Sequence, residues 1–306
     1  MPQPAKKLKA SDLKAFEFAA AGHEGVLSDE SGTLVVKPCT AREVAFYEAA
    51  MSHPEFAFWM PTFFGTLSPD DSVTAAVEAA TTGTPVAPVA HTRQSSLVLQ
   101  NLTYGFEKPC VLDVKLGAQL WDEFAPQAKR DRLDAVSDAT TSRSMGFRVA
   151  GMKVWKGEEE GYKVYDKTYG RVFTAENVID AIKEYFASGL EPGQVKIVAK
   201  RFLEKVTEIR EVLEGQESRM YSASLLFVFE GDSKAFQQAL EDEKNRKPQA
   251  EDEDEDEDEE EEQDIKKVEG LKLIDFAHAD WTPGQGPDEN ALQGVRSMEK
   301  LLAQLA

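Results

Sequence analysis

Two charged side chains set two residues apart in an apolar run are the first chemistry this chain offers. In K-P-C-V-L-D-V-K-L-G, Lys108 to Gly117, the residues Val111, Leu112, Val114 and Leu116 favour a strand, and Asp113 and Lys115 then project from one face of it. A carboxylate beside an ammonium invites reading as a site; the same spacing also fits a strand with a salt-bridged solvent face. The stretch satisfies P-x-x-x-D-x-K-x-G, with Pro109, Asp113, Lys115 and Gly117 in place. Lys37 with Glu43 makes a second charged pair, and Lys129, Arg130 and Arg132 form a basic cluster.

These residues need elements to hold them. Glu24 to Pro38 reads as two short strands around a turn at Ser28 to Gly32, the second closing on Lys37. Thr40 fits an N-cap ahead of Val44, Tyr47 and Met51 at helical spacing, which puts Glu43 in the first turn. Lys37 also suits a solvated strand end, and Glu43 a favourable charge on the helix dipole. Phe58 to Leu67 and Ser95 to Leu99 extend the same small sheet, while Ser68 to Arg93 reads as a helix fragment and a mobile loop. Gln100, Asn101 and Leu102 leave that sheet just ahead of the signature.

Beyond Gly117, Lys129, Arg130 and Arg132 lie on adjacent faces of a helix, able to converge on a polyanion or to pair with Asp131 and Asp134 in solvent. Ser144 to Trp155 alternates as a strand, with Tyr162 to Tyr165 as its hairpin partner. Thr174 caps one helix. Gly193 to Gly215 forms a longer one with a core stripe from Val195 through Phe202 to Leu213. Arg219 to Glu230 reads as one strand, another leads from Leu271 into Asp275, and a helix from Asp288 to Leu305 ends the chain.

At 306 residues the chain has room for two lobes with their own cores. The net charge of -20 falls to -7 without Glu251 to Asp264, which carries 13 acidic residues, so nothing recommends a nucleic-acid surface. That run cannot collapse against its own repulsion and is expected to be a disordered insert; recruitment of basic protein partners is a secondary reading. Two cysteines and four scattered histidines give neither a disulfide framework nor a zinc site. No apolar stretch reaches the roughly 18 residues of a membrane span, and M-P-Q-P-A-K-K-L-K-A lacks a secretory core, so an intracellular setting is expected.

The lysine strand, P-x-x-x-D-x-K-x-G, the basic segment, S-L-L at Ser224 to Leu226 and I-D-F-A-H occur here in one order. In that order the chain resembles the inositol polyphosphate kinases, most of all their multikinase branch with a fungal-type acidic insert. The resemblance implies an α+β, two-lobed protein-kinase-related (ATP-grasp/kinase-like) fold. Residues 1–101 would form the N-lobe and 102–306 the C-lobe, with an inositol-phosphate-binding segment at about 118–145 and the insert at about 246–266. It also implies ATP and Mg2+: Lys37, steadied by Glu43, on the nucleotide phosphates, Asp275 on the metal, and Gln100, Asn101 and Leu102 at the adenine. Lys115 would neutralise the transferring phosphate, and Asp113 would either orient the attacking hydroxyl or anchor the ribose. Lys129, Arg130, Arg132, Lys167 and His278 would take the substrate phosphates, with Arg171 a lesser candidate.

Two departures from the family pattern stand out. Gln100 and Asn101 are neutral where relatives carry an acid, and Ala223 replaces the first serine of S-S-L-L, leaving Ser224 as the hydroxyl. The implied activity raises inositol trisphosphate to tetrakis- and pentakisphosphate, in a monomer of nucleus and cytoplasm. The alternatives are an inositol hexakisphosphate kinase making pyrophosphates, or a non-catalytic acidic scaffold. No H-R-D-x-x-x-x-N loop is present to support protein kinase chemistry.

Overall fold

In the computed structural model the apolar alternations become two antiparallel five-stranded sheets. Residues 13–18, 25–67, 95–245 and 266–306 are described, so the loop expected at Ser68 to Arg93 and the acidic run Glu251 to Asp264 lie outside the described residues. The first sheet has the order β1-β2-β3-β5-β4, from β1 (Leu13–Ala15), β2 (Leu27–Asp29), β3 (Leu34–Pro38), β4 (Phe63–Leu67) and β5 (Ser96–Gln100). Between β3 and β4 run α1 (Ala41–Ala50) and α2 (Pro54–Phe58). The Thr40 hydroxyl accepts from the Glu43 amide, as its N-cap position predicts. The strand expected from Phe58 is corrected: Pro54 opens α2, which carries the chain through Phe58, and pairing with β5 starts only at Phe63.

The second sheet has the order β11-β10-β6-β7-β8. Its central strand β6 (Pro109–Leu116) carries the signature. Next come α3 (Gln127–Asp138), α4 (Thr141–Met145), β7 (Phe147–Trp155), β8 (Tyr162–Tyr165), a 3-10 turn at Tyr169–Val172, α5 (Val178–Phe186) and α6 (Pro192–Gly215). The chain continues through β9 (Ser218–Met220), β10 (Ser224–Glu230), α7 (Ser233–Asn245), β11 (Glu269–Ile274), β12 (Ala279–Trp281) and α8 (Glu289–Leu302). Ser144 and Met145 belong to α4, not to the strand. Thr174 opens a turn, and α5 begins four residues later at Val178. The strand expected over Arg219 to Glu230 is two. Ser222 takes a left-handed φ of 61°, which ends β9, paired with β12, and lets β10 join β6.

Strand alternation sorts the second sheet into two faces. Cys110, Leu112, Val114 and Leu116 face the main core, where Phe202 of α6 meets Phe227 edge-on and Tyr185 of α5 donates to the Cys110 carbonyl at 3.1 Å. Val111, Asp113 and Lys115 face the first sheet. Across the register, Lys115 lies beside Ser224 and Arg148, with Ile274 beyond Ser224; Asp113 lies beside Leu226, with Lys272 beyond. Gly117 closes the signature at φ 95°, where a Cβ would stand 2.5 Å from the Asn290 amide nitrogen, so glycine is required there. Among the described residues no helix is long and apolar enough to cross a membrane.

Candidate active site

The cleft between the sheets is lined by Lys37, Tyr47, Asp113, Leu226, Ile274 and Asp275, with Gln100 to Thr103 along one side. Lys37 reaches in from the end of β3. Its Nζ donates to Glu43 Oε1 at 3.0 Å and to Asp275 Oδ1 at 2.5 Å. Burial lowers the affinity of Lys37 for its proton, but Asp275 and Glu43 raise it by more, and the ammonium stays charged well above its ordinary range. The same Glu43 oxygen accepts the Phe276 amide at 3.3 Å, so one buried carboxylate ties α1 to both the strand lysine and the D-F segment.

Asp275 has φ 67°, a left-handed conformation that costs on the order of 1–3 kcal/mol in a non-glycine residue. Phe276 anchors that turn by packing wholly buried against Phe46, Tyr47 and Phe56 of the first lobe. Lys115 Nζ donates to the Ser222 carbonyl at 2.8 Å and lies 3.8 Å from Asp275 Oδ2. Lys37, Glu43, Lys115 and Asp275, drawn from three distant parts of the chain, therefore meet in one cleft with Asp113 on its wall.

Gln100, Asn101 and Leu102, the three residues expected at the adenine, form the hinge between the two sheets. The amides of Gln100 and Asn101 donate to the carbonyls of Thr62 and Thr33, at 2.9 and 2.8 Å. The Asn101 side chain donates to the Gly32 carbonyl at 2.6 Å and accepts from Thr103, so it braces the hinge against the β2–β3 turn. Gln100, Asn101 and Leu102 all line the cleft.

Of the residues expected at the substrate phosphates, Lys129 is half-buried on α3, and Arg132 and Lys167 are exposed. Arg130 is already engaged within its own segment. It donates to the carbonyls of Ala125 and Glu123 and lies over the Trp121 ring, pinning the start of α3 because the preceding turn leaves those oxygens without helical partners. His278 shares a proton at 2.8 Å between Nδ1 and Asp122, whose carboxylate also takes Arg42 of α1. Burial pushes Asp122 up, but its bonds to His278 and Arg42 more than offset that and hold it below the usual range. Arg42 also forms a pair with Asp280.

The sequence reading missed Arg148, which lies directly across from Lys115 on the cleft face of β7. Burial and the nearby Arg171 push its guanidinium down to about 10, against an opposing pull from Asp113. Its hydrogen bond goes to the Ser142 hydroxyl at 3.0 Å, and it pairs with no carboxylate among the described residues. A charge left in that state is a ready site for a phosphate. Its signal was available: a lone arginine inside the apolar alternation F-R-V-A-G-M.

No cluster of three or more His, Cys, Asp or Glu side chains able to hold a metal occurs among the described residues. Asp275 nonetheless suits a divalent ion completed by nucleotide phosphates, because Mg2+ is commonly bound through one or two carboxylates plus phosphate. Beside Lys115, the fully buried Ser224 Oγ has no hydrogen-bond partner among the described residues, a polar atom consistent with a phosphate or metal-bound water nearby.

Comparison with known proteins gives the family and the fold. A family model described as inositol polyphosphate kinase matches residues 96–303. The inositol polyphosphate multikinase of Saccharomyces cerevisiae is 35% identical over 344 residues, covering 94% of this chain and 97% of that protein. The multikinase of Schizosaccharomyces pombe is 32% identical over 298 residues, covering 96% and 98%. The crystal structure of the S. cerevisiae inositol phosphate multikinase in complex with ADP and Mn2+ aligns with a TM-score of 0.70 at 32% identity, over 89% of this chain and 99% of that one.

Proposed function

The chain belongs to the inositol polyphosphate kinase family, and from that premise we propose that it is a multikinase, transferring the ATP γ-phosphoryl group to inositol trisphosphate and then to the tetrakisphosphate. The observation that carries the reading is the meeting of Lys37 and Lys115 on Asp275, their ammonium nitrogens 2.5 and 3.8 Å from its two carboxylate oxygens. Phosphoryl transfer is mostly positioning and charge neutralisation, and these three supply both.

Lys37, held by Glu43, would grip the nucleotide phosphates, while Asp275 with Ser224 nearby would hold Mg2+. When bound, that ion neutralises charge between the phosphates. Lys115 would swing from the Ser222 carbonyl onto the transferring group, where negative charge builds. Asp113, within reach of the Arg148 charge, is read as the carboxylate that orients the attacking hydroxyl. With the neighbouring amides engaged, Leu102 is the hinge position for an adenine edge. Arg148, Arg171, Lys129, Arg132, Lys167 and His278 would share the ring phosphates, and cations spread over several elements suit more than one ring orientation.

The test is to incubate the purified full-length protein with ATP, Mg2+ and single inositol phosphates and to resolve products by charge. Stepwise tetrakis- and pentakisphosphate formation is expected, lost in Lys115→Ala and Asp275→Ala proteins that keep their fold. Pyrophosphate products from the hexakisphosphate alone would overturn the multikinase reading, and full turnover in either variant would overturn the site.

A further inference from the structure

The described N-terminal segment closes the mouth of the cleft with two aromatic rings. Phe16 and Phe18 are half-buried on either side of the exposed Glu17, and both line the cavity that also holds Lys37, Asp113 and Asp275. The segment crosses from one lobe to the other. At its start, β1 pairs with β2, and the Phe16 amide donates to the Val26 carbonyl at 3.2 Å. At its end, Phe18 packs on Val111, Phe106, Leu226 and Val228 of the second lobe and meets the Tyr162 ring at 5.9 Å. Lys153 of β7 fastens this end: its Nζ donates to the Glu17 carbonyl at 3.0 Å and stands 4.4 Å from the Phe18 ring centre and 4.7 Å from that of Tyr162.

Leu226 is common to the patch under Phe18 and to the cleft floor, where it neighbours Asp113 across the register. Phe18 therefore sits toward the hinge end of the cavity, away from the Lys115 and Asp275 charges. That end is apolar and suits a base and ribose, while the lysines suit phosphates. We propose that Phe16 and Phe18 are nucleotide-positioning residues, forming the outer wall against which the ATP base and ribose pack, and that Lys153 holds this wall in place. The proposal rests on reading the cleft as the nucleotide site.

Calorimetric titration of full-length protein with ADP, and separately with tripolyphosphate, tests it without needing turnover. Losing an aromatic wall against a base weakens binding on the order of tenfold, so Phe18→Ala should bind ADP about that much more weakly yet bind tripolyphosphate as the unaltered protein does. Phe18→Tyr should restore ADP binding. Lys153→Met, which removes the fastening without touching the cavity, should weaken ADP by roughly threefold, a fraction of the loss seen on removing the ring. Unchanged ADP affinity in Phe18→Ala and Lys153→Met overturns the proposal. Equal loss of ADP and tripolyphosphate reassigns the segment to fold maintenance and overturns it too; should Phe18→Ala melt early, Lys153→Met decides. If the unaltered protein binds neither probe, the reading of the cleft itself fails.

Discussion

Glu43 offers the sharpest test of how the cleft is wired, because one of its oxygens accepts both the Lys37 ammonium and the Phe276 amide while the residue is 1% exposed. Glu43→Gln can keep an oxygen at that point but loses the charge. The Lys37 contact then falls from an ion pair to an ammonium–amide hydrogen bond, a loss of about 1–2 kcal/mol, or roughly tenfold in rate if it reaches the transition state. Glu43→Ala removes both bonds and leaves Lys37 to Asp275 alone, already 2.5 Å away. An ammonium held only by Asp275, the carboxylate proposed to take the metal, would compete with both the metal and the phosphates. Breaking the buried pair costs about 3–5 kcal/mol, so a loss of two orders of magnitude or more in kcat/KM for ATP is expected, with a lower unfolding midpoint. ATP turnover by coupled ADP release, beside urea unfolding, reads both effects. The KM for the inositol phosphate should hardly move. If Glu43→Ala turned over ATP within threefold of the unaltered protein, the claim that Glu43 partitions Lys37 between two carboxylates would be wrong.

Three further outcomes follow from other residues. Arg148→Met should raise the KM for inositol phosphate by roughly tenfold, the worth of one charged hydrogen bond, and leave the KM for ATP alone; the reverse pattern in steady-state kinetics would remove Arg148 from the substrate site. Lys272 is pushed down to about 8 by burial and by Lys205 and Lys267, so between pH 8 and 10.5 the unfolded chain holds a proton that the folded one has lost. Folding should therefore grow more stable as pH rises through that window, by at most about 1.4 kcal/mol per unit before solvent screening reduces it. Lys272→Met should be the more stable protein at pH 7 and lose that advantage by pH 10, measured by urea unfolding. Gly170 sits where a Cβ would fall 1.9 Å from the Val149 carbonyl oxygen, so Gly170→Ala should destabilise by about 1–3 kcal/mol and displace Lys167 and Arg171, read as a lower melting temperature with weakened substrate binding.

Much of the site was legible in the sequence because strand alternation is a strong constraint. Asp113 and Lys115 fall on one face by arithmetic, and Thr40 and Glu43 announce the helix that holds Lys37. Residues set by non-local geometry were not legible. Arg130 reads as a free cation in its segment, yet the turn before α3 exposes two carbonyls that claim it. The break at Ser222 lies inside a run with uniform strand character, and its left-handed backbone follows from β9 and β10 having different partners. Arg148 gains its meaning from being opposite Lys115, a pairing fixed only once β6 and β7 are in register past the bulge after Asp113. Phe16 and Phe18 precede any regular pattern, so nothing local predicted that they would cross to the second lobe.

The Arg42 connection has a consequence for traffic through the enzyme. A single side chain on α1 is clasped by the carboxylates of Asp122, ahead of α3, and Asp280, just past the D-F turn, while the Leu273 amide is bound to the Trp59 carbonyl elsewhere between the sheets. Stitched at both places, the two halves are poorly suited to gape apart at every cycle. Exchange of what the cleft holds would then fall to side-chain movement at its rim rather than to separation of the two sheets.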